Sequence, residues 1–307
     1  MTTPYVSADF VKSWPTNQNW SQVPGIKSPS TQQINDLLNQ LCLSATAKAD
    51  NMVGQTLRAT VRVEQNSARS YRVGVNPNGS ARFLCSFFPI ASVVSAQVAY
   101  SPAPPFTWMT IPNTYVIPLE SPFSPFGSST VGAATAGSQI VLIGGNYVSW
   151  WNGRDGQFVQ ITYIAGWPHG GLTATYSAGV SSLHVDDITA MNGANLEIPD
   201  VVNGTEFIQV TAVTADTAGL AAPSGPGTLT LQSPTIYPHS SGEIVTGMPK
   251  SVQEAVVWLV VASALSRSSS AVSAPPQQGR QSSSGGAQMD AYTKRAALLL
   301  KPYARLI

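Results

Sequence analysis

The sequence is short of charge and has no long apolar run. Only 10% of its 307 residues are Asp, Glu, Lys or Arg, well under the usual quarter or so. Its 16 basic and 15 acidic groups leave a formal charge of +1, so no overall field draws the chain to nucleic acid or to a membrane surface. Cysteine is nearly absent. Cys42 and Cys85 cannot build a disulfide framework, and neither stands in a metal-ligand spacing. The longest apolar stretch, Ala255 to Ala262, falls far short of the ~20 residues that a membrane span needs. The opening MTTPYVSADF has neither the basic nor the apolar region of a secretory signal. The expectation is a soluble chain made in a reducing compartment.

Catalytic signatures are missing too. HExxH, GxSxG, GxGxxG and the phosphate-cradling loop do not occur, and Gly144–Gly145 reads more simply as a turn or bulge. The histidines His169, His184 and His239 are scattered. His169 follows Trp-Pro and His239 follows Tyr-Pro, settings where a solvated or locally bonded imidazole is simpler than a ligand. Asp186 and Asp187, near His184, could hold a divalent cation or serve a hydrolase. Adjacent strand positions, however, send two carboxylates to opposite faces, which favours solvation in a turn. Cys42 on a helical apolar stripe and Cys85 in an alternating strand read as core. No catalytic residue, metal or cofactor is expected.

What is abundant is glycine (25), proline (23) and apolar residues at 43%, enough to exclude wholesale disorder and to favour strands and turns. The small net charge hides a division. Residues 1–167 carry nine basic and six acidic groups, residues 168–249 carry seven acidic and no basic ones, and residues 250–307 carry seven basic and two acidic. Such switches mark module boundaries.

Periodicity supplies the elements. A short helix is predicted around Ala8–Trp14. Residues 30–53 place Ile34, Leu37, Leu38, Leu41, Cys42, Ala45, Ala49, Met52 and Val53 on one stripe, with Ser30 and Gln33 as a capping box and Gly54 as a stop. Arg58–Val75 alternates, with Thr60, Arg62 and Glu64 set against Val61 and Val63. Further strands fit Phe83–Phe87, Ser92–Tyr100, Tyr115–Pro118, Gln139–Ile143 and Phe158–Ile164. Residues 172–247 read as all-β, with short runs at Ser182–Val185, Phe207–Val213, Thr228–Leu231 and Glu243–Val245. Pro249 suits a first helical position, and SVQEAVVWLVVASAL follows, apolar almost all round. Such a helix must be buried on several sides, by its own fold or by a neighbouring subunit. Residues 268–288 read as a mobile Ser/Gly/Gln/Pro linker, and a last helix spans Ala287–Leu300. The predicted class is α+β: a helical core with strands (residues 1–167 and 248–307), interrupted by an inserted acidic all-β domain, a small antiparallel barrel or sandwich, at 168–247.

Two residue sets invite a binding reading. Arg58, Arg62, Arg69, Arg72 and Arg82 meet only Glu64 in 25 residues. They could face nucleic acid phosphate or an acidic partner, and a strand pair with solvated outer faces explains them as well. Among the tryptophans Trp14, Trp20, Trp108, Trp150, Trp151, Trp167 and Trp258, burial or subunit contact outweighs a sugar-binding platform.

The order of several short motifs resembles the head-to-tail adaptor (head-completion, or connector) proteins of long-tailed bacteriophages. Tyr5-Val6-Ser7-Ala8-Asp9-Phe10 resembles that family's short first helix. The 30–53 helix resembles its second, ending in a Gly-x-x-x-Arg turn at Gly54 and Arg58. Arg82-Phe83-Leu84-Cys85 through Phe88-Pro89-Ile90-Ala91-Ser92-Val93-Val94-Ser95 is similar to its strand, proline and second strand. Val159-Gln160-Ile161-Thr162-Tyr163-Ile164-Ala165-Gly166-Trp167-Pro168 is similar to its strand ending in Ala-Gly-aromatic-Pro. Met248-Pro249-Lys250-Ser251-Val252-Gln253-Glu254-Ala255 resembles its proline-started helix, and Leu300-Lys301-Pro302-Tyr303-Ala304-Arg305 its close. Together these cover roughly 230 residues, discontinuously. Typical members run from the Ala-Gly-aromatic-Pro strand almost directly into the proline-started helix; here about 80 residues intervene.

The resemblance implies a non-enzymatic virion protein at the phage neck, made in the host bacterial cytoplasm. It implies a ring, usually dodecameric, between the portal protein and the stopper or tail-terminator protein. Genomic DNA would pass through the lumen without sequence reading, and no membrane is involved. It makes Tyr303, Arg305, Leu306 and Ile307 candidates for portal contact, the alternative being that they cap the last helix. Trp258, Val261 and Leu265 are candidates for a subunit interface. The insert is left three places: outside the ring, at the capsid vertex or toward the tail. The rival reading is another β-rich virion component, a tail or capsid decoration protein that binds a surface or glycan through the β segment.

Overall fold

The computed structural model describes residues 3–15, 20, 29–67, 73–75, 81–99, 107–112, 116–119, 139–142, 158–200, 203–219, 222–268 and 285–304. Local chemistry sets the helices. In α1 (Ala8–Ser13) the Ser7 side chain accepts from the Phe10 N–H. α2 (Thr31–Val53) starts at the Ser30–Gln33 capping box and stops at Gly54, whose φ of 71° closes the helix in the left-handed region. α3 (Lys250–Ser268) begins one residue after Pro249, which lies just outside rather than at the first helical position; its carbonyl accepts from the Val252 and Gln253 N–H groups. α4 (Gly285–Leu300) starts two residues earlier than predicted, and residues 269–284 of the proposed linker lie outside the described residues.

All four helices feed one core. Val11 from α1, Leu38, Leu41, Cys42 and Ala45 from α2, Val252 and Ala255 to Val260 from α3, and Ala296 and Leu300 from α4 are buried together. The all-round apolar character of α3 is thus met by its own chain. No helix among the described residues is long and apolar enough to cross a membrane.

The strands pair antiparallel throughout. One sheet has the order β1-β8-β4-β5, from β1 (Thr60–Ser67), β4 (Ile90–Ala99), β5 (Trp108–Ile111) and β8 (Phe158–Ala165). A second, β2-β3-β7-β6, joins Val73–Val75, Ala81–Leu84, Gln139–Leu142 and Val116–Leu119. The alternation read as one strand from Arg58 to Val75 is therefore two strands in different sheets.

The third sheet is formed within residues 169–246, in the order β10-β13-β12-β11-β14-β9. Its strands are β9 (His169–Gly171), β10 (Ser182–Val185), β11 (Asn195–Ile198), β12 (Glu206–Ala215), β13 (Gly227–Leu231) and β14 (Ile244–Thr246). It curls back on itself. Leu172 bridges Val185, Thr173 N–H donates to His184 O at 3.0 Å, and Asp186 N–H to Gly171 O at 2.9 Å. Leu183, Val185, Ile188, Met191, Leu196, Ile208, Val210 and Leu229 fill its interior. The molecule is mixed α+β with antiparallel sheets, one of them curled.

In β1 the phase that carries Arg62 and Glu64 shares a face with the buried Tyr163 and Ile161 of β8. Val63 is 60% exposed, while the Glu64 carboxylate accepts from Ser86 N–H (2.8 Å), Ser86 O–H (3.0 Å) and the Tyr163 hydroxyl. Arg62 lies over the Phe87 ring, 4.2 Å from its centroid. A carboxylate supplied with three donors is stable on that face, so the valines take the other one, where Val63 is exposed and Val61 is partly buried against Ala59, Ile164 and Ala222.

Candidate interaction surfaces

The charge division by segment becomes a seam between the curled sheet and the rest of the chain. Asp186 accepts from the Gly171 N–H at 2.7 Å and from the Thr3 hydroxyl. Asp187 accepts from Thr189 N–H at 3.0 Å and faces the Arg58 guanidinium at 3.6 Å. Glu197 takes Lys250 Nζ at 2.8 Å and the Gln253 amide. The remaining acids are used inside the curled sheet: Asp200 with Asn203, Asp216 with His184, and Glu206 and Glu243 with His239. All seven carboxylates of the acidic segment thus have a partner within the chain. Asp186 and Asp187 lie just beyond β10 and take separate partners within the chain rather than solvation in a turn, and no cluster of three or more His, Cys, Asp or Glu suited to a metal occurs among the described residues.

The N-terminal stub runs along this seam. His169 is enclosed with Nε2 3.0 Å from Pro4 O and Nδ1 3.0 Å from Thr246 Oγ1, and its ring meets that of Tyr5 edge-on. The Pro4 carbonyl can only accept, so Nε2 carries the proton and Nδ1 accepts from the threonine hydroxyl. Burial holds the pKa of His169 down to about 4; the Pro4 carbonyl opposes this and the nearby Arg58 reinforces it. Tyr5 O–H donates to Asp50 at 2.7 Å and accepts from Arg58 N–H at 3.1 Å. Burial pushes both the Tyr5 hydroxyl and the Asp50 carboxyl upward. His169 and His239 are therefore enclosed and bonded rather than solvated. His184 sits between Thr173 Oγ1 at 2.7 Å and Asp216 at 3.0 Å at the surface.

Several sequence-predicted contact residues serve the fold instead. Tyr303, a portal-contact candidate, is buried edge-on to Trp167 with centroids 5.1 Å apart. Its hydroxyl lies 2.8 Å from Ser251 Oγ, and its carbonyl accepts from Gln55 Nε2 at 2.9 Å. Trp258 stacks on Tyr292 at 5.0 Å, donates to Glu254 at 3.0 Å and carries the Arg295 guanidinium 4.5 Å from its ring. Val261 is fully buried. Within the chain, packing covers nearly all of the surface of Tyr303 and Trp258 and all of that of Val261; Leu265 is half-buried. Arg58 faces Asp187 and Arg62 lies over Phe87, so these two members of the basic cluster have partners within the chain. Arg69, Arg72, Arg305, Leu306 and Ile307 lie outside the described residues, and of Arg82 only the backbone, in β3, is described.

The surfaces that do remain were not singled out by sequence. Phe207 is 77% exposed, Ile236 70% and Leu298 72%. The signal for Phe207 is its phase: Ile208 and Val210 point inward, so Phe207 shares the outward phase with Gln209 and Thr211. A groove of about 490 Å³ lies beside it, lined by Asn195, Glu197, Gln209, Thr246 and Met248 among others. Ile236 follows no periodic run, and Leu298 sits in a run of three leucines that hides which one faces out. Comparison with models of protein families, with curated proteins and with solved structures finds no match for this chain.

Proposed function

We propose that this chain is a structural, non-enzymatic virion protein: the adaptor ring of a tailed-phage neck, seated between portal and stopper or tail, with an inserted β domain at 168–247. The observation that carries the reading is how the two halves of the resemblance meet. Gly247 N–H donates to Pro168 O at 2.9 Å, and Thr246 pairs with His169 in the strand ladder. The Ala-Gly-aromatic-Pro strand therefore ends beside the start of the proline-preceded helix, as in a chain from which the intervening residues were absent. The segment's entry and exit are neighbours, and its apolar interior is its own.

Gly166 gives a physical reason for that motif. Its φ is +108°, and a Cβ there would lie 2.5 Å from Arg58 O. The close approach lets Ala59 N–H reach Trp167 O at 2.8 Å and Trp167 N–H reach Leu57 O at 2.9 Å. The joint after α2 is thereby locked to the end of β8, and Trp167 is set against Tyr303. The reading requires partners: the portal, the stopper or tail-terminator, and copies of the chain itself, around DNA contacted without sequence preference. The test is co-sedimentation with purified portal particles encoded by the same genome. The protein is expected to travel with the portal at a fixed ratio. A protein that stays at the top of the gradient would contradict the assignment.

A further inference from the structure

The fold leaves two unlike surfaces exposed. On the curled sheet, the buried Glu206 carboxylate accepts from Ile236 N–H at 2.7 Å, from Tyr237 N–H at 3.2 Å, and meets His239 Nε2 at 3.0 Å. His239 in turn lies 2.8 Å from Glu243. This enclosed network ties the backbone of the exposed Ile236 to Glu206, the first residue of β12, and Phe207, the next residue, lines the 490 Å³ groove. On α4, Ala296 and Leu300 turn into the helical core while Leu298 turns out. Lys294 and Lys301, both exposed, flank it at helical spacings of four and three. Neither ammonium has an ion-pair partner among the described residues.

A single exposed leucine is ordinary, but the combination is not. The segment bearing Phe207 and Ile236 has no basic residue of its own between 168 and 249. It stays net negative after Arg58 and Lys250 have met two of its seven carboxylates. The helix bearing Leu298 offers two unspent positive charges. A polyanion suits the lysines but is repelled by the acidic segment. A second copy of this chain supplies both charge signs and both apolar surfaces in equal number.

We infer that these surfaces bind each other between copies: α4 of one subunit seats Leu298 against Phe207 and Ile236 of the next. Lys294 and Lys301 then face the end of the curled sheet that holds the partly exposed Asp200 and Glu243, whose partners within the chain are Asn203 and His239. The inference rests on the assembly reading above and names the contact through which copies join. Because the two surfaces differ, each subunit can give one and receive the other, which closes into a ring or a two-fold pair.

The test uses the full chain and mass photometry. Phe207→Asp and Leu298→Asp each spoil one surface and leave the other intact, and Ile236→Asp is a second variant on the sheet side. All three positions are exposed, so circular dichroism and the melting temperature are expected to stay at wild-type values. The wild type is expected to assemble. Each variant alone should need on the order of tenfold or more higher concentration to do so. Mixed in equal amounts, Phe207→Asp and Leu298→Asp should form a heterodimer through the one contact still intact. Variants that assemble like the wild type, or a mixture that stays monomeric, would overturn this contact while leaving the ring reading standing. A wild type that is monomeric both alone and with portal would overturn both.

Discussion

His169 is the residue on which most of the seam converges, and its burial makes the molecule sensitive to acid. Its folded pKa of about 4 lies below the ordinary imidazole value near 6.5. Between those values the unfolded chain binds the proton and the folded one does not, so stability is fully present above about pH 6.5 and falls as the pH drops toward 4. The slope from one such group is about 1.4 kcal/mol per pH unit, or about 2 kcal/mol between pH 6.5 and pH 5. Urea denaturation at pH 7.5 and pH 5 should show this loss, and His169→Gln should remove most of it. Equal losses in the two proteins would mean that other groups carry the dependence. Gly166 is a second residue on which the seam depends. Gly166→Ala places a methyl group against Arg58 O in a backbone region unfavourable to any side chain. The expected cost is about 2–4 kcal/mol, read as a lower denaturation midpoint with an unchanged slope.

At the level of elements, α2 was wholly legible, because capping box, apolar stripe and left-handed glycine all act within the helix itself. The curled sheet was legible as strands, though β9 and β11 were not. His169–Gly171 has two glycines and no alternation, and Asn195–Ile198 is four residues long, so long-range pairing alone makes them strands. β1 was legible as a strand, but which of its faces turns inward was not. Alternation reports period, whereas the choice of inner face was made by Ser86 and Tyr163, remote in sequence, which satisfy Glu64. The candidate contacts fared worse for the same reason. Trp258, Val261 and Tyr303 are as apolar as interface residues, and only the positions of Tyr292, Trp167 and Gln55 show that the fold has used them. The proximity of Pro168 and Gly247 makes a direct test at this scale. A chain in which a short Gly-Ser joint replaces residues 169–246 is expected to keep the helical circular dichroism signal and a cooperative melt. It should also be less stable, since the clasps through Asp187 and Glu197 go with the sheet. Loss of cooperative melting would show that the helices and the curled sheet form one inseparable unit.

For the whole molecule, the charge division by segment turns out to be a plan for holding the chain together. The basic groups at Arg58 and Lys250 stand on the two sides of the acidic segment and meet it at Asp187 and Glu197. Those pairs give the seam orientation more than energy, since charges leaving water offset much of their attraction. The most exposed of the large apolar residues described are Phe207, Ile236 and Leu298, with Lys294 and Lys301 beside the last; Val63, Leu43 and Met109 are exposed to a lesser degree. The proposed function requires copies of this chain to assemble beneath a portal. Negative-stain electron microscopy of the protein mixed with its portal is the decisive experiment. An added ring of density stacked on one end of the portal, in register with its symmetry, is expected. Portal particles unchanged by the protein, beside a field of separate monomers, would contradict it.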